Sequence, residues 1–214
     1  MSPHPARPVH ELNRLGLFGG TFNPVHNGHL VTARKAAAAR NLSKIIFIPA
    51  YIPPHKQGEP LISPHHRTSM LDRALEGENK MLWSDAELSR RGTSYTIDTI
   101  RYFRQEYPDA ELFFLTGSDS LDILHTWKNI EILIEQCVLT IIARPGFPCV
   151  IPENLKKKLP PEAVESLRNN RLDIETPDIS STRIREMVQS GMDISGLVPH
   201  PVRQYIERNN LYIS

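Results

Sequence analysis

The feature that most restricts the fold is an alternation between short apolar runs and segments of helical period. The runs are "RLGLFGG" (14–20), "KIIFIPA" (44–50), "MLWSDAEL" (81–88), "ELFFLTG" (111–117) and "CVLTIIAR" (137–144), with a later one in "RLDIET" (171–176). Most are continuous rather than alternating, as strands covered on both faces of a parallel sheet are. Between them, "GHLVTARKAAAARNL", "HHRTSMLDRALEG" and "YTIDTIRYFRQEY" space their apolar residues as helices do. Repeated strand–helix–strand order requires right-handed crossovers and predicts an α/β fold, a doubly wound parallel sheet. After "ARPGFPCVIPENL" the chain turns polar and helical, with a Lys run in "ENLKKKL" that reads as a solvated face. "SSTRIREMVQSG" and "HPVRQYIERNNLY" then predict two final helices, the first ended by Gly191. The expected organisation is a loose tail over 1–14 and a single domain over 15–214, with 178–214 as a small helical C-terminal lobe.

Composition narrows the function class. With 25 basic and 24 acidic residues the net charge is +1, without the basic excess of a nucleic-acid binder. No apolar run approaches the ~20 residues of a membrane span. "MSPHPARPVHELN" has no apolar core of a secretory signal, and its His4 and His10 read as solvated. Cys137 and Cys149 have neither metal-site nor disulfide-framework spacing, so reduced thiols and a cytoplasmic setting are expected.

The chemistry concentrates in "LGLFGGTFNPVHNGHLV" (15–31). Gly19 and Gly20 close a strand where open α/β sheets bind ligands, and a phosphate can approach a bare backbone there. The following helix offers its positive end. Neither the dinucleotide pattern G-x-G-x-x-G nor the P-loop pattern is present. His26 and His29 are three apart, on one face at a helix start, with Gly28 between them leaving room for a ligand. A zinc pair would need a third ligand, and none stands at recognisable spacing. Two imidazoles beside a glycine turn suit phosphoryl chemistry.

"GGTFNPVHNGHL" resembles the first signature of the H-x-G-H nucleotidyltransferase superfamily, and "ISSTRIRE" (179–186) its second, I-S-S-T-x-I-R. Between them, "IPPHKQ", "HHRTSML", "SYTIDTI", "GSDSLDILHTWKNIEILI" and "ARPGF" resemble bacterial nicotinate mononucleotide adenylyltransferases, as does "LVPHPVRQYIERNNLY". The resemblance runs from Leu15 to Tyr212 and is loosest over 148–173. It implies a Rossmann-like nucleotidyltransferase fold and transfer of AMP from ATP to nicotinate mononucleotide in NAD biosynthesis, with Mg²⁺ carried by ATP rather than by a protein metal site. ATP and nicotinate mononucleotide are the expected partners; no nucleic acid or membrane is. Nothing in the sequence sets an oligomeric state.

The resemblance also implies roles. His26, His29 and Arg185 are the expected catalytic groups, with His29 on the transferring phosphoryl group and Arg185 on the departing pyrophosphate. Gly19, Gly20, Thr21 and Phe22 would cradle the reacting phosphates. Ser181 and Thr182, at a helix start, would hold the β and γ phosphates, and Gly117 and Asp119 the ATP ribose side. His55, Lys56 and Arg144 would meet the acceptor phosphate; Trp127 would stack on the pyridine ring, unless it is simply a core aromatic. Thr96 and the Lys128 amide would hold the ring carboxylate. Relatives of this type often carry Asp where this chain has Asn23, which argues against a metal-linked role there and not against activity. Two alternatives follow: nicotinamide mononucleotide as the acceptor, and a nucleotide sensor that does not react.

Overall fold

The structure, a computed structural model, describes residues 13–55 and 61–213. Six strands form one parallel sheet: β1 (Arg14–Gly20), β2 (Lys44–Pro49), β3 (Met81–Trp83), β4 (Glu111–Gly117), β5 (Val138–Ile142) and β6 (Arg171–Leu172). Their spatial order is β3-β2-β1-β4-β5-β6. The chain therefore winds outward one way from β1 and the other way from β4, and a crevice opens between the carboxyl ends of those two strands. All six expected strands are present. β3 is shorter than its apolar run suggests, because Asp85 caps a short helix, α3 (Ala86–Arg90), inside "SDAEL". Residues 1–12 of the expected tail lie outside the described residues, and Arg14 stands in β1.

Side-chain alternation along the strands splits the core in two. Phe47, Phe113 and Leu115 face one layer with α1 (Asn27–Ala39), α2 (Pro64–Leu75), α8 (Ser181–Gln189) and α9 (His200–Arg208). Leu15, Leu17, Ile46, Ile48, Leu112 and Phe114 face the other, with α3, α4 (Thr96–Glu106), α5 (Ile130–Gln136), α6 (Glu153–Lys158) and α7 (Pro161–Asn169). Each buried leucine- or phenylalanine-sized side chain contributes about 1.5–3 kcal/mol, so both faces of the central strands stabilise the fold. Helix α1 presents Ala33, Ala36 and Ala37 to the sheet, small residues that let its start come close to the end of β1. Helices α8 and α9 bury Ile184, Val202 and Ile206 in the same layer as α1 and α2. Among the described residues, no helix is long and apolar enough to cross a membrane.

Candidate active site

The chain leaves β1 at Gly20 and passes through Phe22, whose φ of 48° lies in the left-handed region. A bulky side chain there costs roughly 1–2 kcal/mol. The strain is offset by burial: the Phe22 ring is 1% exposed, 5.4 Å from Phe47 and 5.1 Å from the His29 ring. Phe22 thus supports His29 from below, a role beyond the backbone cradle expected for it.

His26 is the N-cap of α1, in extended conformation, rather than a residue of its first turn. Its Nδ1 accepts the His29 N–H (3.3 Å), and His29 Nδ1 accepts the His26 N–H (3.2 Å). The rings stack 3.7 Å apart at 29°. This reciprocal cap explains Gly28. A Cβ there would lie 2.9 Å from His26 Nδ1, so glycine makes room for the imidazole and not for a ligand.

The cap also sets the protons. A ring nitrogen that accepts a backbone N–H carries no hydrogen, so a neutral ring must hold its proton on Nε2. Burial lowers the His26 pKa to about 3, with Arg144 nearby adding to the effect. Burial, then His26, then Arg144 hold His29 well below the usual histidine range. Both rings are therefore neutral Nε2–H donors near neutral pH. His26 is 3% exposed, while His29 is half-buried, so His29 is the one with surface to offer. Nitrogen-15 NMR should show two neutral Nε2–H imidazoles that do not titrate between pH 8 and pH 5. A ring gaining a proton near pH 6.5 would contradict the assignment. Because both pKa values fall on folding, their contribution to stability is complete above about 6.5 and lost as pH falls toward the folded values.

The α1 start is less open than its position suggests. The Asn27 amide donates to the Leu197 carbonyl (2.9 Å), and its side chain donates to Gly196 O (2.8 Å). With the His29 amide taken by His26, two of the first helical N–H groups are committed to protein acceptors.

The second signature lies directly against the first. Ser180 caps α8, accepting from the Arg183 N–H. The Ser181 hydroxyl donates to Pro24 O (2.9 Å). Arg185 donates to Asn23 O (3.0 Å) through one nitrogen and to Thr182 Oγ1 (3.3 Å) through another. Ser181 is thereby a tie between the two segments, while Thr182 is exposed and buttresses Arg185. Asn23 is 2% exposed and accepts from the Tyr212 hydroxyl at 2.8 Å.

Across the crevice, Gly117 ends β4. A Cβ there would meet Asp119 Oδ1 and Arg144 Cδ, because Arg144 donates to Asp119 (2.8 Å) directly over the glycine. The two residues expected on different substrates are here each other's partner. Ser118 fixes the arrangement, accepting from the Arg144 amide (3.0 Å) and donating to Phe147 O (2.8 Å).

Of the groups expected at the acceptor, Arg144 is held by Asp119, while Thr96 and Lys128 meet at the start of α4. Ile52 bridges Thr93, Ser94 N donates to Ile52 O, and Tyr51 N donates to Ser94 Oγ. This holds the loop after β2, in which His55 is exposed, against the segment leading to Thr96, the first residue of α4, whose amide has no intrahelical acceptor. Lys56 lies outside the described residues. Lys128 pairs with Asp98 (3.1 Å) and lies over the Tyr95 ring (4.5 Å). Trp127 is half-buried, edge-on to Phe114 at 6.0 Å, with its indole N–H unpartnered. It is packed against the core and adjoins Lys128 in the chain.

Sequence reasoning missed three residues. Arg67, 1% exposed, donates to Thr21 O (2.9 Å) and Ala50 O (2.7 Å), joining the ends of β1 and β2. Glu87, 5% exposed, accepts from the Thr99 hydroxyl (2.5 Å) beneath the α4 start; burial raises its pKa. Tyr212 is the third. Arg67 stood inside the quoted "HHRTSML" and Tyr212 inside the final quoted segment, but no spacing rule marks either.

Similarity to known proteins gives the family and the fold. The family model described as cytidylyltransferase-like matches residues 17–187. A Clostridium tetani protein named "Probable nicotinate-nucleotide adenylyltransferase" is 40% identical over 94% of this chain and 100% of its own length. A protein of the same name from Geobacillus thermodenitrificans is 39% identical over 94% of this chain and 87% of its own. Among solved structures, the Plasmodium falciparum nicotinic acid mononucleotide adenylyltransferase complexed with NaAD superimposes with a TM-score of 0.73. It is 22% identical and covers 94% of this chain and 97% of that one, a likeness that speaks for the fold. The chain thus belongs to the cytidylyltransferase-like family and, within it, to the nicotinate-nucleotide adenylyltransferases.

Proposed function

We propose that the protein transfers AMP from ATP to nicotinate mononucleotide, releasing pyrophosphate and forming nicotinate adenine dinucleotide. The observation that carries this reading is the pair of hydrogen bonds from Ser181 and Arg185 to Pro24 O and Asn23 O. They set a guanidinium and a helix start beside the histidine turn, at the mouth of the β1/β4 crevice. A triphosphate held there has its α phosphorus near His29 and its outer phosphates toward α8.

The acceptor supplies its own nucleophile, since a phosphate monoester with a second pKa near ~6 is mostly dianionic at neutral pH. A phosphate oxygen attacks the α phosphorus in line, the bond to the bridging oxygen breaks, and pyrophosphate leaves with the electron pair. No side chain needs to remove a proton. The protein aligns two polyanions and spreads their charge. His29 donates Nε2–H to the α-phosphoryl oxygens, and Arg185 stabilises the leaving group. Gly19, Gly20 and Thr21 leave room for the phosphates at the end of β1. His26 acts mainly by holding His29 in place. Arg144 and Asp119, once parted from each other, are free for a phosphate and a ribose hydroxyl.

On the acceptor side, the Thr96 hydroxyl and amide and the Lys128 amide hold the ring carboxylate, with Trp127 against the ring and His55 and Lys56 at the phosphate. Neutral donors suffice because bonds to a charged acceptor are roughly twice as strong as neutral ones. Among the described residues, no three His, Cys, Asp or Glu side chains could hold a metal ion, and the groups facing the crevice are largely donors. That set fits Mg²⁺ carried by triphosphate oxygens and water; when bound, it neutralises triphosphate charge. We place the protein among the cytoplasmic enzymes of small nucleotides.

The test is pyrophosphate release with ATP, Mg²⁺ and each mononucleotide in turn. Turnover of the nicotinate form should exceed that of the nicotinamide form by at least tenfold in kcat/KM, the equivalent of about 1.4 kcal/mol. Equal or better use of the amide would overturn the acceptor assignment. No pyrophosphate with either would overturn the enzymatic reading.

A further inference from the structure

We propose that Tyr212, next to the chain's last described residue, is a positioning residue that locks the histidine turn and so aims Arg185 at the outgoing pyrophosphate. The inference rests on the reading of Arg185 given above and adds a residue to it.

Three observations converge. First, the Tyr212 hydroxyl donates to the side-chain oxygen of Asn23 at 2.8 Å, while Arg185 donates to the carbonyl oxygen of the same residue at 3.0 Å. One residue of the turn is therefore gripped by its side chain from the C-terminal segment and by its backbone from α8. Second, the backbone is bent to make this contact. After α9 the chain reverses through Asn210 (φ 49°) and Tyr212 (φ 67°). Asparagine adopts the left-handed region readily, whereas a bulky aromatic seldom does. Among the described residues, the other aromatic held so is Phe22, next to Asn23 in the same turn. Third, the phenol is placed among the groups that shape the turn: the charges of Arg67 and Arg185 both act on it, and Arg67 itself holds Thr21 O. Leu211, the neighbour of Tyr212, is buried in the core and anchors the segment.

The neutral amide at Asn23 fits this role. It accepts the phenol proton without adding an anion that would pair with Arg185, so the guanidinium keeps its unused N–H groups for phosphate. A displacement of reacting groups by about 1 Å can cost on the order of 10²-fold in rate, so a loosened turn is expected to be visible in kcat.

The test is Tyr212→Phe, which keeps the ring and removes the one hydrogen bond. It should lower kcat for pyrophosphate release about tenfold, a 1.4 kcal/mol loss at the transition state, with KM for the mononucleotide within about twofold. Val202→Ala, in the buried face of α9, is the structural control: it should lower the melting temperature more than Tyr212→Phe does, yet leave kcat of the folded protein near wild type. Asn23→Ala and Asn23→Ala/Tyr212→Phe should have the same kcat, because the second change removes nothing once the acceptor is gone. A Tyr212→Phe protein with wild-type kcat, or kcat losses that multiply in the double variant, would overturn the proposal. Wild-type protein releasing no pyrophosphate would instead strike the enzymatic reading, so the two failures are told apart.

Discussion

His29→Asn lowers kcat by about 10²–10³-fold, the effect of removing one preorganised donor from developing negative charge. The choice of asparagine matters. Its side-chain oxygen reaches the place of Nδ1 and can still accept the His26 N–H, now bonded at 3.2 Å, so the cap on α1 survives. Nothing replaces Nε2–H. The fold should therefore persist, with a melting temperature close to wild type, while the chemical step fails. KM for ATP should change much less than kcat, because the lost bond strengthens as charge shifts in the transition state. His29→Ala would confuse the two effects, since it removes the half of the cap that His29 Nδ1 supplies as well as the donor. An ordinary rate in a well-folded His29→Asn protein removes His29 from the catalytic groups.

Arg185→Ala is the second large effect, about 10²-fold in kcat by the same argument for a charged donor at a leaving group. Arg185 uses two nitrogens on Asn23 O and Thr182 Oγ1. A guanidinium has five N–H donors, so the rest are available to pyrophosphate from a fixed position. Lysine offers a point charge in place of the planar fork, and Arg185→Lys should recover only part of the loss. Arg183, on the same helix, is exposed, and Arg183→Ala should leave kcat within about twofold, as surface changes away from such contacts usually do. Similar losses at 183 and 185 would mean general electrostatics rather than a placed guanidinium.

How much of this was legible in the sequence depends on the range of the interaction. The strands were readable because a sheet covered on both sides writes itself as continuous apolar runs. Where the run was short and mixed, as in "MLWSDAEL", the local signal failed: Trp83 ends the strand and Asp85 begins a helix. "NIEILIEQC" runs straight into β5, and a short apolar run does not separate helix from strand, so α5 had no mark of its own. At the site, the residue types of the two signatures were legible and their geometry was not. Nothing in "VHNGHL" says that each histidine caps the other, or that Gly28 serves His26. Arg67, Glu87 and Tyr212 act through partners distant in the chain, which only the fold brings together. The Asp119–Arg144 pair is of the same kind: each carries a chemistry that the sequence assigns separately, and only the folded loops show them joined.

The central claim is that neutral imidazole N–H groups, the bare end of β1 and one guanidinium meet on a triphosphate. A crystal structure with Mg²⁺ and a non-hydrolysable ATP analogue tests it most directly. The expected result places an α-phosphate oxygen within hydrogen-bond reach of His29 Nε2, and the β and γ phosphates against the α8 start with Arg185 on them. A triphosphate seated elsewhere, with His29 and Arg185 both untouched, would contradict the account.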